Sequence, residues 1–347
     1  MLVEKIISAP AELFIGGEKH PKRGARNTEI EFGINLPQFH AGDPSGLVAL
    51  DEFAERVEEI GFDSIWTLDR IFHASLFLEP LTALTYVAAK TKKVRLGTAI
   101  LMSPLRIPSI LAKTAATIDF LSSGRLVLGL ALGSHLDEYS ASSTPINERV
   151  ARFLEGIKIL RLLWREENVS FQGRFWKLEN ANIVPKPAAG VIPIWMGGSA
   201  VGSTVNDFVV RRAGKHGDGW LGAGSTDTKA FEDSYKRFVR YAREFGRDPN
   251  SLGSAKRVYI HVDRDEEKAK HVLKSVLSAF YSREFEVKGR CVYGSNKKCV
   301  EELSRLVEAG ARTIILHPVS DQLQQAETLA REVIPELKRS HHGRGGN

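Results

Sequence analysis

Short apolar runs alternate with amphipathic stretches along most of the chain. The runs at 31–37, 64–69, 94–101 and 125–132 are almost uninterrupted rows of apolar residues, which is typical of parallel strands buried on both faces. An amphipathic stretch follows each run, and Gly61 stands where the first of these helices would end. The pattern therefore predicts a series of strand–helix units.

The same alternation continues in the second half of the chain, where further apolar runs occur at 192–198, 219–224, 257–262 and 313–318. Residues 171–187 are predicted to form a hairpin-like excursion, and 288–299 an inserted loop that leads into an extra helix. Eight units with no reversal of the pattern predict the α/β class and a (β/α)8 TIM barrel, and disfavour a doubly wound open sheet. The predicted organisation is an N-terminal extension (1–28), one barrel domain (29–339) and a disordered tail (340–347).

Composition and charge argue against several classes of protein. The chain has 347 residues, 43% of them hydrophobic, and it contains neither a run long enough to cross a membrane nor a signal-peptide pattern. The net charge is +6, but basic residues alternate with acidic ones, so no nucleic-acid partner is expected. Cys291 and Cys299 form no CxxC pair and predict reduced thiols in a cytoplasmic protein. The histidines show no metal-ligand spacing, so no metal is expected.

A glycine turn, Gly197-Gly198-Ser199, follows the fifth predicted strand and precedes a helical pattern. Free backbone N–H groups at a helix N-terminus bind phosphate, and glycines let the anion come close. The common nucleotide motifs do not fit, because no lysine precedes Ser203 or Thr204 and the G-x-G-x-x-G spacing is absent. The residues alone leave two interpretations open, a phosphate cradle or a plain strand–helix connection.

Polar residues stand at the carboxyl ends of the predicted strands, where barrel enzymes place their active sites. His40 follows the first strand and is a candidate proton donor or acceptor, unless it is a loop histidine bonded to backbone. Asp69 and Arg70 end the second strand, where they can form an ion pair or hold a polar cofactor ring. Ser134 and Asp137 follow the fourth strand, where they also match a helix cap with an acidic capping box. No G-x-S-x-G elbow is present at a strand end, which disfavours a serine hydrolase.

In order along the chain, several phrases resemble the bacterial luciferase-like monooxygenase superfamily, whose members are (β/α)8 barrels that use FMN or the deazaflavin coenzyme F420. The matching phrases are IGFDSIWTLDR, VRLGTAILMSPLRIPSILAKTAATIDFLSSGRLVLGLALGSHLDEY, FQGRFW followed by VPKP, IPIWMGGS, and HGDGW. They cover roughly residues 30–320 in the family's order. Together they are specific for the superfamily, and much less so for a subfamily.

The resemblance implies that the cofactor ring lies over the end of the third strand. A non-proline cis peptide bond, common there in the family, would fall at Ala99-Ile100. Asp69 matches the acidic residue of the Asp-His pair in the deazaflavin enzymes, whereas Arg70 stands in the place of that histidine.

The remaining cofactor contacts implied by the resemblance lie in two loops, Leu132-Gly133-Ser134 with Asp137, and the phosphate-binding turn Gly197-Gly198-Ser199. Leu132 matches neither the arginine of the luciferases nor the threonine of several deazaflavin enzymes. The Gly-x-x-Leu-x-Glu-Tyr frame of residues 133–139 resembles the deazaflavin-dependent enzymes and favours F420 over FMN.

The resemblance thus predicts an oxidoreductase that binds coenzyme F420 and passes a hydride to or from a small organic substrate. Asp69 and Arg70 would orient the ring and the substrate, and His40 would donate or accept a proton. Two alternatives stay open: a monooxygenase that uses O₂ and reduced FMN from a partner flavin reductase, and a non-catalytic flavin-binding barrel. Members of the family form homodimers, so a homodimer is expected.

Overall fold

The computed structural model describes residues 29–40, 49–73, 75–198, 200–201 and 204–342. Eight parallel strands pair in a closed ring and confirm the predicted TIM barrel. In chain order they are β1 (Glu31–Asn35), β2 (Ser64–Thr67), β3 (Arg95–Thr98), β4 (Leu126–Ala131), β5 (Ile194–Gly197), β6 (Gly219–Gly222), β7 (Gly253–Val262) and β8 (Thr313–Pro318). The ring closes where β4 pairs with β5 and β8 pairs with β1.

Helices cover the outside of the barrel. They are α1 (Leu50–Glu59), α2 (Pro80–Lys90), α3 (Pro108–Leu121), α4 (Leu136–Ala141), α5 (Arg149–Arg165), α6 (Asp207–His216), α7 (Thr228–Glu244), α8 (Glu266–Tyr281), α9 (Asn296–Glu308), α10 (Gln322–Thr328) and α11 (Ile334–His342). Within the described ranges, no helix is long and apolar enough to cross a membrane. The predicted extension at 1–28 lies outside the described residues, whereas α11 runs into the segment that the sequence predicts to be a disordered tail.

Short polar side chains cap the starts of several of these helices, among them α6, α7 and α8. Asn206, Asp227 and Asp265 stand immediately before α6, α7 and α8, and each accepts a hydrogen bond from a backbone N–H of the first turn. Such a cap satisfies one of the N–H groups that a helix leaves without an internal partner.

Two tryptophans fill the interior of the barrel. The rings of Trp66 and Trp195 lie 5.6 Å apart, centroid to centroid, and both side chains are buried. Trp66 fits only because glycines face it: a Cβ at Gly33 or at Gly97 would lie 2.4 Å or 2.3 Å from its ring. The interior is therefore packed, and a ligand must bind above this layer, at the carboxyl ends of the strands.

The segment predicted as an inserted loop contains a further parallel strand. Cys291–Gly294 pairs with the far half of β7, from Tyr259 onward. The run CVYG is short and apolar, but charged residues flank it on both sides, so the sequence pattern does not indicate a strand there. Residues 264–294, named here the inserted segment, combine α8 with this strand. Their apolar side chains pack against Tyr259 at the carboxyl end of the barrel.

The hairpin-like excursion is confirmed, since Val169–Gln172 and Lys177–Ala181 pair in antiparallel fashion. The other short strands are Phe39–His40 with Leu76–Phe77, Leu101–Met102 beside β4, and Ala200–Val201 with Thr204–Val205.

Candidate active site

The peptide bond Ala99–Ile100 directly follows β3 and is cis, as the family resemblance implies. Gly129 and Gly197 lie beside this segment. A Cβ at Gly129 would lie 1.9 Å from the carbonyl oxygen of Thr98, and one at Gly197 would lie 2.2 Å from Cγ2 of Ile100. Both glycines therefore make room for the protein's own atoms. The structure brings Ala99, Ile100 and Gly197 together at the mouth of the barrel.

The glycine turn after β5 differs from the predicted helix-terminal anion site. Gly198 has a φ of +101°, but its N–H donates to the carbonyl of Leu221 at 3.1 Å. Its carbonyl accepts from Nε1 of Trp220 at 3.0 Å. Helix α6 begins at Asp207, after a short hairpin, so Gly197 and Gly198 do not lie at the helix N-terminus. Ser199 lies outside the described residues.

Asp69 is buried and tied to the loop after β3. Its carboxylate accepts two hydrogen bonds from Arg106, at 2.6 Å and 3.1 Å, and a third from the backbone N–H of Met102 at 2.8 Å. Burial by itself lowers the pKa of Arg106, but the hydrogen bonds and charges of Asp69 and, to a smaller extent, Glu79 together outweigh it, and the pKa is raised. Asp69 thus fixes the segment that runs directly on from Ala99–Ile100.

Arg70 points to a different partner. Its Nε donates to the carboxylate of Glu138 at 2.9 Å, and its Nη2 donates to the carbonyl of Phe72 at 2.8 Å. Glu138 is fully buried and also accepts from the backbone N–H of Ile71 at 3.1 Å. The interpretation of Asp69 and Arg70 as one ion pair is therefore wrong, because each binds a charge from another loop.

The predicted capping box after β4 is also wrong. Helix α4 begins at Leu136, its capping position is His135, and no side chain caps it. Ser134 and Asp137 are exposed at the rim of the mouth. Burial and the charge of Arg70 lower the pKa of His135, which favours its neutral form.

Leu132 and Gly133 link β4 to this helix. The carbonyl of Leu132 accepts a hydrogen bond from the hydroxyl of Tyr139. Gly133 has a φ of +73°, and a Cβ there would lie 2.4 Å from the sulfur of Met102. Both residues therefore lie beside the loop that Asp69 holds.

His40 lies in a two-residue strand that pairs with Leu76–Phe77, while its side chain lies outside the described part of the chain. The preceding Gln38 is buried and fixes this region. Its Nε2 donates to the carbonyls of Leu68 and Leu78 at 2.7 Å and 2.6 Å. Gln38, two residues before His40, thus joins the loop after β1 to the loop after β2.

Sequence reasoning missed two arginines at the mouth and a glutamate. Arg106 and Glu138 are separated from their partners by 37 and 68 residues along the chain, so no local pattern announces the pairs. Arg257 of β7 lies near the ring of His317, with Nη1 3.5 Å from Nδ1. Over the described ranges, no group of three or more His, Cys, Asp and Glu side chains could hold a metal ion.

Comparison with known proteins agrees with the fold and gives the family of the chain. The family model of luciferase-like monooxygenases matches residues 30–286, and the chain belongs to this family. It is 28% identical over 323 residues to the F420-dependent glucose-6-phosphate dehydrogenase of Amycolatopsis mediterranei. This alignment covers 83% of this chain and 94% of that protein. It is 31% identical to the enzyme of the same name from Nakamurella multipartita, over 69% of this chain and 70% of that protein.

Solved structures share the architecture. An F420-dependent secondary alcohol dehydrogenase superimposes with a TM-score of 0.77 at 22% identity, over 89% of this chain and 99% of that one. A coenzyme F420-dependent tetrahydromethanopterin reductase from Methanopyrus kandleri gives 0.73 at 21% identity, over the same shares. At these identities the likeness concerns the fold.

Proposed function

We propose that this protein is an F420-dependent oxidoreductase that moves a hydride between the deazaflavin ring and a small organic substrate. The observation that carries the proposal is the match over 94% of the length of an F420-dependent relative. Because the interior of the barrel is packed, the cofactor and the substrate would bind at the carboxyl ends of the strands.

The residues at the mouth fit a flat ring. Ala99, Val127 and Leu221 belong to the buried apolar layer at its base. Asn35, at the end of β1, donates to the carbonyl of Trp66 at 3.3 Å, while its buried Oδ1 has no partner among the described residues. This oxygen can accept a hydrogen bond from a bound group.

The chain's own residues would then position the reactants. When bound, F420 supplies a ring carbon that takes up or releases a hydride. Asp69 holds the segment after β3 through Arg106, and Arg70 holds the loop after β2 through Glu138. His40 is the proposed proton donor or acceptor.

The proposed cofactor contacts are Asp69, Ala99, Ile100, Leu132, Gly133, Ser134, Asp137, Gly197, Gly198 and Ser199. The role of each rests on the family resemblance. Since the N–H of Gly198 is already bonded to Leu221, the amides that hold the anionic tail would have to follow it.

Titration of the purified protein with F420 and with FMN tests the proposal, with ring absorbance and fluorescence as the signals. We expect F420 to bind and FMN to bind weakly or not at all. Tight binding of FMN without F420 would support the monooxygenase alternative, and binding of neither at micromolar concentration the non-catalytic barrel. Glucose 6-phosphate is the first substrate to test, because it is named for the relatives. His40→Ala should lower turnover while F420 binding survives.

We also propose that two copies of the chain associate through α2 and α3. Tyr86, Ile107 and Ile110 are 45%, 59% and 63% exposed on this face, which forms an open apolar groove. Exposed apolar patches of this kind mark interaction sites. Sedimentation should show a dimer, and Ile110→Lys should shift it toward the monomer.

The free, buried Cys291 and Cys299 support a reducing, cytoplasmic location.

A further inference from the structure

Arg257 is a buried arginine at the mouth of the barrel, on the side opposite to Asp69. It is 8% exposed and stands on β7 two residues after Ala255, which belongs to the inner apolar layer. Because side chains alternate along a strand, Arg257 and Tyr259 face the same interior as Ala255. The guanidinium therefore lies at the floor of the space above the packed core.

Its contacts within the structure are neutral. Nη2 donates to the hydroxyl of Tyr259 at 3.0 Å, and Nη1 lies 3.5 Å from Nδ1 of His317. Burial, and then the charge of Arg257, hold the pKa of His317 well below its usual value, so the ring is neutral at pH 7. In the ranges that the structure describes, Arg257 forms no ion pair with a carboxylate.

An isolated buried charge is unfavourable unless a counter-charge meets it. The neighbouring Lys256 can avoid this cost by losing its proton, because burial lowers its pKa to about 7. An arginine cannot, because its guanidinium stays protonated in proteins. The guanidinium of Arg257 is therefore a buried cationic group with no carboxylate counter-ion among the described residues.

Two further groups lie beside Arg257. The backbone of Gly224 comes close to it, since a Cβ at Gly224 would lie 3.0 Å from Nε and 3.0 Å from Nη2 of Arg257, so a glycine is needed at this position. The hydroxyl of Tyr259 is 2.8 Å from that of Tyr281, at the end of α8 in the inserted segment. The inserted segment therefore places the hydroxyl of Tyr281 beside that of Tyr259, which in turn contacts Arg257.

We propose that Arg257, together with the hydroxyl of Tyr259 and the ring of His317, binds an anionic group of the substrate, a carboxylate or a phosphate. The planar guanidinium suits both groups because it can donate two parallel hydrogen bonds. The assignment of this anion to a substrate rests on the proposed function, whereas the binding of an anion does not require F420.

Equilibrium binding and thermal unfolding of four proteins test the assignment: the unmodified chain, Arg257→Met, Arg257→Lys and the control Arg243→Met. Arg243 is an exposed residue of α7, so its replacement removes the same charge away from the mouth. The probes are inorganic phosphate, acetate, glucose 6-phosphate and glucose, at constant ionic strength. Phosphate against acetate distinguishes the two anionic groups, and glucose is the neutral control.

We expect at least one anion, and not glucose, to bind the unmodified protein and raise its unfolding midpoint. Arg257→Met should weaken that binding about 10- to 100-fold, as the loss of charged hydrogen bonds does. Arg257→Lys should fall between, and Arg243→Met should match the unmodified chain. If Arg257→Met does not fold, Tyr259→Phe should weaken anion binding severalfold.

Absence of anion binding by the unmodified chain would overturn the assignment, as would equal binding by Arg257→Met. F420 titration of the same samples separates this failure from that of the proposed function. Bound F420 without anion binding contradicts the anion site alone. Anion binding lost in Arg257→Met, with no F420 binding in any sample, contradicts the proposed cofactor and supports the anion site.

Discussion

The two sides of the barrel mouth differ in whether their buried charged side chains are paired with an opposite charge. On the side of β2 to β4, each buried carboxylate meets an arginine from another loop, Asp69 with Arg106 and Glu138 with Arg70. On the side of β7 and β8, Arg257 has polar contacts with the neutral side chains of Tyr259 and His317 and, among the described residues, forms no ion pair with a carboxylate. Paired charges make the first side a fixed support, whereas the unpaired charge makes the second side receptive to an anion.

The largest effect is expected where the pairing is tightest. Asp69→Asn removes the charge that faces Arg106, and the side chain of Asp69 is only 1% exposed. Breaking a buried pair leaves an uncompensated charge and should lower the free energy of unfolding by about 3 kcal/mol. Urea unfolding measures the change.

Glu79→Gln is the matched control, since Glu79 also contacts Arg106, at 3.2 Å, but is 47% exposed. It should cost less than about 1 kcal/mol. Equal stabilities for Asp69→Asn and Glu79→Gln would mean that the buried pair with Arg106 stabilises the fold no more than the exposed pair does.

A smaller loss is expected for Glu138→Gln. The amide oxygen of glutamine can still accept from the N–H of Ile71, so the variant loses mainly the charge opposite Arg70. A decrease of about 2 kcal/mol in the free energy of unfolding is expected, because hydrogen bonds to charged groups contribute more than neutral ones. An unchanged stability would show that this pair does not support the mouth.

The barrel itself is predictable from the sequence because buried parallel strands leave continuous apolar runs. The eight runs predicted the eight strands of the ring, and the family phrases correctly indicated the luciferase-like family. The cis bond at Ala99–Ile100 came from the resemblance, and no residue pattern indicates it.

The charge pairs and the short strands were not predictable. Arg106 lies 37 residues from Asp69, and only the closed ring brings their loops together. The hairpin between Gly198 and α6 has strands of two residues, too short for any periodicity, so the sequence did not indicate that a hairpin separates the turn from the helix. Ser134 satisfies a capping pattern, but the chain stays extended through His135 and the helix begins without a side-chain cap.

A pH dependence should distinguish Lys256 from its neighbour Arg257. Lys256 donates to the carbonyl and hydroxyl of Thr226, and burial lowers its pKa to about 7. Between pH 7 and pH 8.5 the unfolded chain keeps the lysine proton that the folded protein loses. Stability therefore rises with pH in this window, by about 1 kcal/mol per pH unit from this group. Urea unfolding of Lys256→Met should show a slope smaller by that amount, and an unchanged slope would contradict the lowered pKa.

The smallest change, and the one that sharpens the comparison most, is expected for Arg257→Met in the absence of anions. Methionine fills a similar volume without charge, so the variant loses a weak set of hydrogen bonds to Tyr259 and His317 and gains from removal of an unpaired buried cation. Its free energy of unfolding should stay within about 1 kcal/mol of the original value or exceed it. A loss as large as that of Asp69→Asn would mean that Arg257 supports the fold in the way Arg106 does. A neutral or stabilising result means that the protein retains this arginine for what it binds.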